Sequence, residues 1–120
     1  YLTASPRLSP SALRAIRAAA SEGQTCLVSA ITVVEVTYLA EKGRIAASQL
    51  NLLVAALADP RGNLEIAPVD FVVAQFLAKV PRDQVPDLPD RVIAATALAF
   101  GLPLVTRDGD IRSSGIATIW

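Results

Sequence analysis

The sequence contains no histidine. That absence removes imidazole general-base catalysis, Ser-His triads and His-ligated zinc together. Cysteine occurs once, at Cys26, so no internal disulfide can form and a reducing cytoplasm is the expected setting. The thiol lies in the apolar run Cys-Leu-Val and reads as buried and inert. Net charge is missing too, because 11 basic residues balance 11 acidic ones. A strongly basic domain would bind nucleic acid nonspecifically; here a contact with RNA needs local basic clusters or bridging metal ions. No apolar run approaches the roughly 18 residues of a membrane span, and the opening residues do not read as a secretory signal. What remains for chemistry is carboxylate.

What is present is an apolar chain of 120 residues, 52% hydrophobic and 18% charged, with a mean hydropathy of +0.45. The length suits one compact domain. The apolar excess is expected to fill a sheet covered on both faces and to supply a partner surface. Helical periodicity alternates with short β-branched runs, which predicts an α/β fold with a mainly parallel sheet. Ser9 and Pro10 start a helix that stops at Gly23. Cys26 to Ser29 reads as a strand, followed by helices from about Thr32 to Lys42 and about Ser48 to Ala58. Leu64 to Val69 reads as the next strand, and Asp70 caps a helix through about Lys79. A loop with three prolines leads to a helix from about Asp90 to Phe100, ended by Gly101. Leu104 to Thr106 and Ile116 to Trp120 read as the last strands. An open parallel sheet usually begins with a central strand, whereas this sequence begins with Tyr1-Leu2-Thr3 and soon enters a helix. A strand preceding Tyr1 is therefore expected.

Three acids fall near strand ends or helix starts: Glu35, Asp90 and Asp108. The carboxyl ends of parallel strands line the crevice where ligands bind. Acids gathered there repel one another unless a cation intervenes, which suggests an oxygen-liganded Mg²⁺ or Mn²⁺ site. Each acid also has a structural reading. Thr32 and Glu35 have capping-box spacing, Asp87 and Asp90 suit an N-cap and an N3 acid, and Asp108 can start a turn. Taken separately, each favours structure; their shared edge favours a site.

The stretch from Asp87 to Asp108 resembles PIN-domain ribonucleases of the virulence-associated protein C (VapC) toxin type. It carries Asp90-Arg91 opening an Ile-Ala-Ala helix, then Gly101-Leu-Pro, then a strand ending in Thr106-Arg-Asp108. Val28-Ser29-Ala-Ile-Thr32-Val-Val-Glu35 is similar to the family's second acidic motif, and Leu8-Ser-Pro-Ser-Ala to the opening of its first helix. Ile116 to Trp120 resembles its last strand. The resemblance covers essentially the whole chain. It implies a three-layer α/β/α PIN-like domain with a central, mostly parallel sheet. It also implies an endoribonuclease that uses Mg²⁺ or Mn²⁺ to activate water, with Glu35, Asp90 and Asp108 as catalytic and metal-holding residues. Thr106 would hydrogen-bond beside them, Asp87 would cap the helix, and Asp110 would be an accessory. Arg91 and Arg107 would be solvated or would touch phosphate. An RNA substrate, a cognate antitoxin and a homodimer are the implied partners. The family's first acid sits at the end of a strand preceding the position of Tyr1, and no residue of this sequence replaces it.

Two rivals come from other classes. A degenerate PIN domain would dock an antitoxin or RNA without cleaving. A receiver-like phosphotransfer domain fits the acidic crevice but not the Asp-Arg and Thr-x-Asp motifs.

Overall fold

A computed structural model of the chain describes residues 9–120. Six helices and four strands follow one another as α1 (Pro10–Ser21), β1 (Cys26–Ser29), α2 (Ala30–Glu41), α3 (Ala47–Ala58), β2 (Leu64–Ala67), α4 (Phe71–Phe76), α5 (Leu88–Phe100), β3 (Leu104–Val105), α6 (Gly109–Arg112) and β4 (Thr118–Ile119). A 3-10 turn, Leu77–Lys79, extends α4. The alternation gives the expected α/β class, and both strand pairs are parallel.

Local chemistry sets the helix starts. The Ser9 hydroxyl accepts from the Ala12 amide at 3.1 Å, with Pro10 at the first helical position. Asp70 accepts from the Val73 amide at 3.0 Å. Ser29 ends β1 and caps α2 at once, accepting from the Ile31 amide at 3.3 Å. Strand therefore passes into helix without a loop, two residues earlier than the sequence suggested. Thr32 is inside α2, so the Thr32–Glu35 capping box does not form. Asp108, whose structural reading was the start of a turn, caps the short α6 through the Ile111 amide at 3.0 Å.

The sheet is divided. β1 pairs with β2, Cys26 opposite Leu64 and Ser29 opposite Ala67, while β3 pairs with β4, Leu104 opposite Thr118. Among the described residues β1 and β3 share no ladder, so the sheet is broken between them. A cleft of about 70 Å³ lies there, lined by Leu27 and Ser29 on one side, Leu102 and Leu104 on the other, and Thr96 of α5. The strand expected before Tyr1 lies outside the described residues.

The main core gathers where α4, α5 and α6 meet. Val73, Val80, Val85, Ala94, Ala95 and Ile111 are buried together, with Phe76, Leu98 and Leu104 packed against them. Burying a Val- or Ile-sized side chain contributes about 1.5–3 kcal/mol. The run of alanines in α5 lets α4 approach closely, because a methyl side chain keeps neighbouring backbones near one another. Gly101 then ends α5 in the left-handed conformation, φ 64°, which costs glycine nothing.

Candidate active site

The acids come from three places in this frame. Glu35 stands in the second turn of α2 and is half-buried. Asp90 stands in the first turn of α5, and Asp108 follows β3; both are half-buried. Asp87, exposed, caps α5 by accepting from the Asp90 amide at 3.1 Å.

Their electrostatics tie them together. Burial pushes the Asp90 carboxyl up to about 6. The charges of Asp87, Asp108 and Glu35 push in the same direction, as does a hydrogen bond with the Asp87 side chain. Glu35 is raised by burial and then by Asp87. Every influence acting on Asp90 disfavours its charge, and no basic group offsets them. Repulsion of this kind is what a divalent cation relieves. Hard carboxylate oxygens also suit Mg²⁺ or Mn²⁺ better than softer ions. The donor chemistry therefore fits such an ion. The spacing is looser, since among the described residues no three acids lie close enough to hold a metal together.

Thr106 accepts from the Asp108 amide at 3.1 Å, which fixes the backbone that carries this acid. Asp108 shares its carboxylate with the cap of α6. Asp110 and Arg107 are exposed, and Asp110 does not act on Asp90. Asp87 is the member that sequence reasoning undervalued. It is a cap, as expected, but its charge also reaches both Asp90 and Glu35. Its spacing three residues before Asp90 was the available signal, because that spacing puts an N-cap beside N3. Arg91 is not a solvated charge; its guanidinium donates to backbone carbonyls instead. Beside the acids runs a groove of about 580 Å³, lined by Val34, Glu35, Tyr38, Lys42, Arg44 and Asp87. Lys42 lies over the Tyr38 ring, 4.4 Å from its centroid.

The PIN domain family matches residues 2–115 of the chain. This protein is a PIN domain. Its fold is similar to that of a chain in the crystal structure of VapBC2 from Rickettsia felis bound to a DNA fragment from their promoter. That match has a TM-score of 0.66 at 18% identity and covers 88% of this chain and 81% of the other. No curated protein matches the sequence. In this PIN domain the acids carried by α2 and the end of β3 both lie within electrostatic reach of Asp90 on α5. No helix among the described residues is long and apolar enough to cross a membrane.

Proposed function

We propose that this PIN domain is a cytoplasmic, metal-dependent endoribonuclease toxin of the VapC type, neutralised by a cognate antitoxin. The observation that carries the reading is the coupling of Asp90 to Glu35, Asp87 and Asp108, which makes one centre of negative charge from three separate elements. Glu35, Asp90 and Asp108 would hold Mg²⁺ or Mn²⁺, which supplies Lewis-acid activation of water and charge neutralisation at phosphate. The chain's own part is to aim these carboxylates. Asp87 fixes the turn that bears Asp90, and Thr106 fixes the backbone of Asp108. The VapBC2 fold match and the apolar groove beside the acids support an antitoxin as the protein partner. A homodimer would cover further apolar surface.

The test is cleavage of a fluorescent RNA oligonucleotide with Mn²⁺ and with chelator. Wild type should cleave only with metal. Asp90→Asn and Asp108→Asn should each lose more than about 100-fold, since even residues behind the ligands cost 10–100-fold. A second reading, a PIN fold that docks partners without cleaving, draws on the loose spacing of the acids. Failure of wild type to cleave at saturating Mn²⁺, with RNA or antitoxin binding intact, would select it.

A further inference from the structure

Arg91 follows Asp90 directly, yet its charge is directed away from the acids. Its Nε donates to the Val80 carbonyl at 3.1 Å. Its Nη2 donates to the Leu77 carbonyl at 3.0 Å and again to Val80 at 3.0 Å. The Leu77 carbonyl also accepts from the Val80 amide at 3.1 Å, which closes the 3-10 turn, Leu77–Lys79, and the Val80 carbonyl lies just past its negative dipole end. Val80 is wholly buried, so without a donor its carbonyl would be costly to leave there. The planar fork of a guanidinium suits this task, since it can serve two acceptors in fixed geometry.

The segment that follows is anchored along its length. The Gln84 and Val85 amides both donate to the Pro81 carbonyl, at 3.1 and 3.0 Å, forming a tight turn. Val85 is wholly buried in the core. The segment ends at Asp87, which holds the Asp90 amide. Residues 80–91 therefore form a closed loop, with Arg91 clamping one end and Asp87 capping the other.

We infer that Arg91 is a positioning residue of the acidic site. It clamps the Leu77 and Val80 carbonyls, and through the closed loop it sets Asp87 and Asp90 rather than gripping RNA phosphate. The inference rests on the reading of that cluster as a metal site, but its test separates the two.

Arg91→Gln and Arg91→Lys would be measured with wild type, well below the lowest melting temperature. Amide hydrogen exchange at Asp90 is read in metal-free protein, with Ala95 as the control amide. Mn²⁺ affinity is read by calorimetry, and KM and its salt dependence with an RNA oligonucleotide. Arg91→Gln should speed exchange at Asp90 but not at Ala95, and weaken Mn²⁺ binding by about 10–100-fold. Arg91→Lys, able to serve fewer acceptors, should fall between. KM should keep the wild-type salt slope. A lowered melting temperature with unchanged Asp90 exchange and Mn²⁺ affinity would overturn the inference in favour of mere scaffolding. A raised KM with a salt slope reduced by about one would overturn it in favour of phosphate contact. If wild type binds no Mn²⁺, the metal reading falls, and exchange at Asp90 alone decides the clamp. Should Arg91→Gln not fold, Arg91→Lys decides by the same readouts.

Discussion

Helices α2 and α5 both bring an acid to the candidate site, and both are rich in apolar residues, yet the fold treats them differently. α5 buries Val92, Ala94, Ala95, Thr96 and Ala97, while α2 buries none of its residues. Val34 and Tyr38 of α2 are 61% and 57% exposed. α3, which packs on α2, buries only Leu53. Apolar composition alone thus does not decide core membership. Small side chains do so in α5, where alanines admit α4 closely and the core fixes the first turn that carries Asp90. Glu35 rides on a helix whose apolar face remains open. One acid is placed by the chain's own core, and the other sits beside a surface suited to a partner.

The sharpest way to break this comparison is to damage the α5 side. Ile111→Ala removes a 2% exposed side chain from the core against which α5 packs. It should cost about 2–5 kcal/mol, read by chemical denaturation. A loss below about 1 kcal/mol would mean that the core does not fix this side. The next effect in size concerns the acids that both helices contribute. Mn²⁺ at a hundred times its Kd should stabilise the wild type by about 2.7 kcal/mol, and both Glu35→Gln and Asp90→Asn should abolish most of the gain. Should only one variant do so, the helices do not serve a common site. The smallest effect belongs to the open face. Tyr38→Ala should change monomer stability by no more than about 0.5 kcal/mol, because the ring is already largely in water. The same variant should weaken antitoxin binding in a pull-down with purified partner. A large stability loss would place Tyr38 in the core after all.

The sequence made the capped elements legible, because a cap is a local device. Ser9-Pro10, Asp70 and Asp87 were visible as helix starts or caps, and Gly101 as a stop, since each acts on a neighbour within a few residues. The acids Glu35, Asp90 and Asp108 were singled out by motif resemblance and their shared edge. What escaped was set by contacts distant in sequence. The start of α2 moved because Ser29 serves strand and helix together. The α6 turn was missed because four residues are too few to show periodicity. Arg91 looked like a surface charge because its acceptors, Leu77 and Val80, are 14 and 11 residues away.

The central claim is that Glu35, Asp87 and Asp108 all act on Asp90, which is the centre of the site. An NMR titration of the Asp90 carboxyl in metal-free protein tests it most directly. Its ordinary value is 3.8 and the fold raises it to about 6. The folded chain therefore holds this proton more tightly than the unfolded chain does. The stability that Asp90 contributes is fully present below about pH 4 and is lost as pH rises through about 6. Mg²⁺ competes with the proton, so its affinity should rise over the same interval. The account predicts a midpoint near 6 that falls in Glu35→Gln and in Asp108→Asn, and falls further when Mg²⁺ is added to the wild type. A midpoint near 4, indifferent to both substitutions and to Mg²⁺, would contradict it.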